Sequence, residues 1–211
     1  MPPTLLKAKP LKNRYFAMRH GQSEANVAGI IISDPSIGCN QYGLTALGQQ
    51  QVIESASNTT ELNQDTLIIS SDFLRAQHTA EITQKILNTS HSIQYSTALR
   101  ERFFGTLNGQ NDTQYKTVWD VDQENPDHQE FGVESANQVV LRASALIKQL
   151  EEQSFNGHDN HGQHNTGKNI LLVAHGDVLQ LLQTWFQDVP ASQHRSLSHL
   201  ETAEIRCLNP G

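Results

Sequence analysis

Short apolar runs alternate along this chain with longer segments whose apolar residues recur at helical spacing. Four runs predict strands, at about residues 14–18, 66–70, 91–99 and 169–174. The second and fourth are nearly continuous in apolar residues, which is typical of strands buried in a parallel sheet. A weaker pattern between about residues 198 and 208 predicts an edge strand.

The segments between the strands predict helices. We expect the main helices over about residues 44–56, 72–86, 134–152 and 177–186. Thr45 is the expected N-cap of the first, and Ser71 or Asp72 that of the second. Residues 34–43 are expected to form a loop, and residues 103–131 are irregular with one helical stretch over 115–121. The alternation predicts an α/β fold, a three-layer sandwich with a mostly parallel central sheet flanked by helices.

Length and composition fit a single domain. The chain has 211 residues, of which 36% are hydrophobic and 18% charged, and residues 1–13 are expected to form a loose leader. A net charge of -7 without a basic stripe argues against nucleic acid as a partner. No apolar run has the length of a signal peptide or a membrane span, so we expect a cytoplasmic protein without a membrane partner. Cys39 and Cys207 are expected to be free thiols, and the sequence leaves the oligomeric state open.

Basic side chains follow the predicted strands where each one ends. Arg19-His20-Gly21 follows the first run and His175-Gly176 the last, and Arg75 lies one turn into the helix after the second. Ligands of open α/β sheets bind at the carboxyl ends of the strands. If the strands are parallel neighbours, two arginines, two histidines and helix N-termini therefore meet at one edge. Such a set is suited to a phosphoryl group.

These residue types also support a reaction. A neutral imidazole can attack phosphorus and form a phosphohistidine, which splits hydrolysis into two steps. The arginines supply the cationic stabilisation that phosphoryl transfer needs, so the chemistry requires no metal and no other cofactor. Glu101, just after the strand predicted to end at Leu99, is the candidate proton donor if its site keeps it protonated near neutral pH. The same carboxylate would then activate water.

Five segments in chain order carry a wider pattern. They are Arg19-His20-Gly21-x-Ser23-x-x-Asn26, Leu44-Thr45-x-x-Gly48, Ser70-Ser71-x-x-x-Arg75-Ala76-x-x-Thr79-Ala80, Leu99-x-Glu101-x-x-Phe104-Gly105-x-x-x-Gly109 and Val173-Ala174-His175-Gly176. Together, from about residue 14 to 185, they resemble the histidine phosphatase superfamily in its phosphoglycerate-mutase-like branch. The resemblance implies the phosphoglycerate-mutase-like fold and a single histidine phosphatase domain over residues 1–211. It also implies that the protein is a phosphoric monoester hydrolase.

The resemblance also implies residue roles. His20 would be the phosphorylated nucleophile and Glu101 the proton donor. The residues implied to hold the phosphoryl group are Arg19, Ser23, Asn26, Arg75, His175 and Gly176.

Departures from the family pattern bear on the substrate. Mutases of the family carry Arg-His-Tyr-Gly after the acid and a later Arg-Arg-Ser, whereas this chain has Arg102-Phe103-Phe104-Gly105 and no arginine pair between residues 103 and 131. A phosphoglycerate site needs cations for a carboxylate and a second phosphate, so a phosphatase is favoured. Val133 replaces a glycine of the Gly-Gly-Glu-Ser segment. Asp177 replaces an asparagine that is common after His-Gly in the mutases. We expect Asp177 either to cap the helix or to point its charge away from the phosphate.

Several alternatives stay open. A phosphatase acting on an unidentified small-molecule phosphomonoester leads, ahead of a cofactor-dependent phosphoglycerate mutase and of a non-catalytic domain that binds a phosphate ligand. Structural roles compete at single residues, namely helix capping by Ser23 and Asn26 and an exposed charge at Glu101. Tyr115, Trp119 and Phe131 either line a lid or form a small apolar cluster. The histidines of segment 157–164 fit a solvated loop better than a metal site.

Overall fold

A five-stranded sheet forms the centre of the fold. The computed structural model describes residues 11–156 and 167–209. The strands are β1 (Arg14–Arg19), β2 (Leu67–Ser70), β3 (Gln94–Tyr95), β4 (Asn169–Ala174) and β5 (Ile205–Cys207). Their spatial order is β3-β2-β4-β1-β5, and every neighbouring pair is parallel except β1 with β5. The predicted mostly parallel sheet is confirmed.

Helices cover both faces of this sheet. Within the described ranges they are α1 (Glu24–Ala28), α2 (Pro35–Gly38), α3 (Ala46–Asn58), α4 (Leu74–Leu87), α5 (Tyr115–Glu124), α6 (Ala136–Asn156) and α7 (Gly176–Gln187). Alternate residues of β4 point to opposite layers. Ile170 and Leu172 pack with residues of α6 and α7, whereas Leu171 and Val173 pack with residues of α3 and α4. The three-layer sandwich predicted from the sequence is therefore confirmed.

The strand register brings the ends of β1, β2 and β4 together. Arg19 is level with Ala174, and Ser70 is level with Val173. The segments that follow these strands consequently leave the sheet at the same edge. This is the placement of the chemical residues that the sequence predicts.

Two local predictions are wrong. The strand expected over 91–99 is reduced to the two exposed residues of β3, because the chain turns into a 3-10 helix that buries Leu99 against the core. The cap of α4 is Phe73 rather than Ser71 or Asp72. Those two side chains bind His175 and Arg100 instead.

Other expectations have simple outcomes. Thr45 caps α3 by accepting from the Gly48 N–H, and Cys39 and Cys207 are free. The loop at 34–43 includes the single turn α2, with Asp34 as its N-cap. None of the helices in the described ranges has both the length and the apolar character needed to cross a membrane. Residues 1–10 of the predicted leader, and the histidine-rich segment 157–164, lie outside the described residues.

Candidate active site

His20 follows β1 directly and is 3% exposed. Its backbone N–H donates to the Ala174 carbonyl at 3.0 Å, which joins the ends of β1 and β4. Gly21 then lets the chain approach α3 closely, because a Cβ at this position would lie 2.4 Å from the Gly48 carbonyl oxygen. The glycines of two sequence motifs thus hold the loop that carries this histidine.

The ring of His20 is fixed in one tautomer. Nδ1 lies 2.8 Å from the Gly21 carbonyl oxygen, which can only accept, so Nδ1 carries the proton. Nε2 keeps a lone pair, and the Nε–H of Arg75 donates to it at 3.0 Å. Burial, and then the charges of Arg75 and Arg19, lower the pKa of His20 well below its ordinary value. The ring is therefore neutral at physiological pH, with its nucleophilic nitrogen beside a guanidinium.

Arg75 comes from the first turn of α4 and is 3% exposed. One terminal nitrogen, Nη2, donates to the Ile32 carbonyl at 3.0 Å and lies 3.6 Å from Glu101 Oε2. The other, Nη1, is buried and has no hydrogen-bond partner among the described residues. The guanidinium is thus anchored on one side and open on the other.

Arg19, the last residue of β1, reaches the same cavity. Its Nη1 donates to the Leu200 carbonyl at 3.0 Å and to Nε2 of His199 at 2.8 Å. Its Nε is buried and lacks a partner in the described part of the chain. Gly176 leaves room for this side chain, because a Cβ there would lie 3.3 Å from that nitrogen. Both Arg19 and Gly176 line the cavity.

His175 follows β4, and its ring centre lies 5.3 Å from that of His20. Nε2 lies 3.0 Å from Ser71 Oγ. That hydroxyl accepts from the Phe73 N–H, so its own hydrogen is available to Nε2. Burial, followed by the charge of Arg75, lowers the pKa of His175, and the proton of the neutral ring then lies on Nδ1. Nδ1 has no hydrogen-bond partner within residues 11–156 and 167–209.

Three buried nitrogens around His20 therefore need an acceptor. They are Arg19 Nε, Arg75 Nη1 and His175 Nδ1, and a further unpartnered nitrogen, His199 Nδ1, belongs to the lining residue that contacts Arg19. A buried donor left without a partner costs about 1–3 kcal/mol, so such groups are rarely left together without a ligand to meet them. An anion with several oxygens can accept from Arg19 Nε and Arg75 Nη1, which belong to lining residues; His175 is not itself a lining residue, and its ring centre lies 5.3 Å from that of His20. The geometry fits a phosphoryl group held against Nε2 of His20.

Glu101 lies in the same cavity and is 7% exposed. Oε1 accepts from the Arg102 N–H at 2.9 Å, whereas Oε2 lies 3.6 Å from Arg75 Nη2 and 3.8 Å from His175 Nδ1. Burial raises the pKa of Glu101 to about 7, against the effect of Arg75 and with that of Asp177. A carboxyl group of this kind can give and retake a proton near neutral pH.

Ser23 and Asn26 both line the cavity and together cap α1. Ser23 Oγ accepts from the Asn26 N–H at 3.3 Å, and Asn26 Oδ1 accepts from the Ser23 N–H at 2.9 Å. The Ser23 hydroxyl also donates to Asn26 Oδ1. Capping uses the oxygen of Asn26 and not its amide NH₂, which is therefore the group of this pair best suited to meet a ligand.

The cavity has a volume of about 350 Å³ and includes residues that the sequence analysis missed. These residues are Ala25, Ile30, Ile32, Asp112 and His199. His199 carried no motif signal, and its contact with Arg19 spans 180 positions of the chain. Of the three aromatic residues with two predicted alternatives, Tyr115 and Trp119 line the cavity, with rings stacked at 5.4 Å. Phe131 is not among the lining residues.

Asp177 does not cap α7, because His175 is the N-cap. Its Oδ1 accepts from Trp119 Nε1 at 2.8 Å, and its Oδ2 lies 3.5 Å from Arg102 Nη1. Arg102 is fully buried and binds Asp122 through two nitrogens. The charge of Asp177 is thus held by an aromatic N–H and a structural arginine.

The fold and the site define a class of α/β proteins in which arginines and histidines meet at the carboxyl ends of parallel strands. A family model described as the histidine phosphatase superfamily (branch 1) matches residues 15–211, and the chain belongs to this superfamily. The family and the relatives named below are phosphatases, so the predicted phosphoric monoester hydrolase is confirmed.

Individual relatives are distant in sequence. A broad-specificity phosphatase of Saccharomyces cerevisiae is 27% identical over 183 residues, which cover 82% of this chain and 70% of the relative. Mycobacterial glucosyl-3-phosphoglycerate phosphatase is 24% identical with a TM-score of 0.70 over 92% of this chain and 88% of the other. The α-ribazole phosphatase of Shigella flexneri is 24% identical with a TM-score of 0.66 over 91% and 88%. The two structures confirm the predicted phosphoglycerate-mutase-like fold.

Proposed function

We propose that this chain is a metal-independent phosphomonoester phosphatase that works through a phosphohistidine on Nε2 of His20. The observation that carries the proposal is the set of three unpartnered buried donors around that nitrogen. The cations of Arg19 and Arg75 supply the charge that the equatorial oxygens need in the transition state. Residue roles are those implied by the family resemblance.

The first step transfers the phosphoryl group to the enzyme. Nε2 of His20 attacks phosphorus, a P–N bond forms, and the P–O bond to the substrate alcohol breaks. The leaving oxygen takes the proton of Glu101, whose pKa of about 7 keeps much of it protonated near neutral pH. The alcohol departs, and His20 carries the phosphoryl group.

The second step returns the enzyme to its starting state. The Glu101 carboxylate accepts a proton from water as the water oxygen attacks phosphorus. The P–N bond breaks, inorganic phosphate leaves, and Nε2 regains its lone pair. Nδ1 keeps its proton throughout through its bond to the Gly21 carbonyl.

The substrate is proposed to be a small-molecule phosphomonoester. A cavity of about 350 Å³ is at the lower end of the size range of small-molecule sites. A phosphoglycerate mutase is less well supported, because the described lining includes Arg19 and Arg75 but no further arginine and no lysine for a second anion. A cytoplasmic location remains a prediction from the sequence, and so does the lack of a nucleic-acid partner.

Trapping the phosphoenzyme tests this proposal. The protein is incubated with a ³²P-labelled alkyl monoester in EDTA and quenched in alkaline detergent, because a P–N bond is labile to acid. We expect the label on His20, release of inorganic phosphate, and loss of both in His20→Ala. His91→Ala is the control, since His91 is not a lining residue.

Other outcomes would overturn the proposal in distinct ways. An isomerised phosphosugar or phosphoglycerate as the main product indicates a mutase. Saturable binding without label or phosphate release indicates a non-catalytic binding domain. Activity that EDTA abolishes and a divalent metal restores contradicts metal independence.

A further inference from the structure

Two arginines beside His20 supply the positive charge of the described cavity lining. The arginines of the described lining are Arg19 and Arg75, and both carry the unpartnered nitrogens that face the phosphoryl position. His199 adds no charge near neutral pH, because burial and the neighbouring Arg19 lower its pKa. The cations are therefore committed to a single phosphoryl group.

The outer part of the cavity, here called the outer wall, consists of Ile30, Asp112, Tyr115 and Trp119. These lining residues are half-buried or exposed, as are Arg19, Asn26 and His199 in the same lining, whereas His20 is buried. Asp112 has no ion-pair partner among the residues that the structure describes. The outer wall thus presents one uncompensated carboxylate and two aromatic rings.

The position of Asp112 is set by the backbone. Its N–H donates to the Gly29 carbonyl at 2.9 Å, and the preceding Asn111 forms a β-bridge with Ile30. The 3-10 turn that begins with Asp112 is thereby fixed to the loop after α1. The backbone of Asp112 consequently lies at a defined place beside the cavity, and its side chain is one of the lining groups.

Nearby charges do not reverse this balance. Asp177 also lines the cavity, and Arg102 offsets its charge from 3.5 Å. Arg195 packs over the Trp119 ring at 3.7 Å and donates to Gln180, and it is not a lining residue. A ligand group at the outer wall therefore meets the carboxylate of Asp112, whereas Arg195 already packs over the Trp119 ring.

We infer that this site selects monoesters whose leaving group carries no second anionic group, with Asp112 as the specificity-determining residue. The inference rests on the proposed function, since it names the substrate class for the same cavity. A second carboxylate or phosphate at the outer wall would lose its hydration and lie near the negative charge of Asp112. No cation of the described lining pairs with Asp112 to offset this cost. The leaving group of a neutral polyol ester or an amino alcohol ester brings no second negative charge to Asp112 and avoids this cost.

A matched pair of substrates tests the selection. Glycerol 3-phosphate and 3-phosphoglycerate release similar primary alkoxides and differ by a hydroxymethyl group against a carboxylate. We expect kcat/KM of the wild type to favour glycerol 3-phosphate about tenfold, and Asp112→Lys to reduce that ratio by about the same factor through two units of charge. Asp120→Lys is the control, because Asp120 is exposed on α5 and pairs with Lys116.

The same comparison in binding separates this inference from the proposed function. His20→Ala protein is titrated with both esters by calorimetry, alone and combined with Asp112→Lys. One outcome is that the wild type turns over neither ester, while binding still favours glycerol 3-phosphate and Asp112→Lys removes that preference. In that case the proposed catalysis fails and the selection stands. A wild-type ratio within twofold of unity, or an equal change with Asp120→Lys, overturns the selection.

Discussion

Arg75 and Arg102 are both buried and both lie near Glu101, yet they are satisfied in different ways. Arg102 donates to the two carboxylate oxygens of Asp122 at 2.6 and 2.8 Å, and its Nε donates to the Glu134 carbonyl at 2.7 Å. Arg75 approaches Glu101 only to 3.6 Å, and its Nη1 has no partner among the described residues. The protein itself satisfies the guanidinium of Arg102, whereas Arg75 has a donor that only an added anion would satisfy.

This difference separates structure from function within a few ångströms. Removing one partner of a buried ion pair with good geometry is strongly destabilising, because the other charge is left buried without a partner. A buried cation with an open donor is tolerated where binding needs it, at some cost in stability. We therefore expect substitutions at the two arginines to have opposite effects on activity and on stability.

Arg75→Met is expected to give the largest effect of the predictions on this comparison. It removes the cation beside His20 Nε2, so kcat/KM should fall about 10⁴-fold, the range seen when a transition-state arginine is lost. The free energy of unfolding should change little, because the lost charge was incompletely paired. Phosphate release and urea unfolding on the same preparation measure both quantities. A stability loss equal to that of the Arg102 variant would contradict the comparison.

Arg102→Met is expected to affect folding instead. The substitution leaves Asp122 buried without its cation, which should lower the free energy of unfolding by about 4 kcal/mol. Adding Asp122→Leu should recover part of that loss, since the Asp122 carboxylate is then gone, whereas Asp177 still lacks its arginine. Urea denaturation of the single and double variants decides, and a double variant as unstable as the single one would show that charge pairing is not the cause. The folded fraction should keep far more activity than Arg75→Met.

Much of the deep end of the site was predictable because its signals are local. Arg19, His20 and His175 follow apolar runs within one or two residues, and parallel pairing of β1 with β4 brings such positions together. Thr45 is equally local, because a cap and the N–H that it accepts lie three residues apart. At these four residues, the local sequence pattern and the tertiary structure lead to the same placement.

Two other lining residues, His199 and Asp112, were not predictable, since distant segments bring them to the cavity. His199 reaches Arg19 only because β5 returns the chain antiparallel to β1, and Asp112 is placed by a bridge between Asn111 and Ile30. The wrong cap at Ser71 has a related cause. Its hydroxyl is drawn to His175, 104 positions further along the chain. Tertiary partners of this kind leave no local pattern.

Glu101→Gln is expected to have the smallest effect of these substitutions. It extends the comparison to the carboxyl groups, because Glu101 lies 3.6 Å from its arginine whereas Asp122 is paired with Arg102 at 2.6 Å. For an alkyl phosphate, kcat/KM should fall about a hundredfold, because the alkoxide loses its proton donor. For p-nitrophenyl phosphate the fall should be much smaller, because nitrophenolate leaves without a proton. The amide oxygen of Gln can still accept from the Arg102 N–H, so the position of the side chain is kept.

The pH profile gives the sign of the same effect. Only protonated Glu101 can donate, so wild-type kcat/KM for the alkyl ester should fall as the pH rises through about 7, the raised pKa of this carboxyl. His20 stays neutral across this range, since its pKa is lowered, and it adds no loss on the alkaline side. The Gln variant should lack that alkaline fall, whereas ionisation of the ester affects both proteins alike. An identical alkaline limb in the two proteins, or an equal loss for both esters, would assign the proton to another group and leave Glu101 as a counter-ion of Arg75.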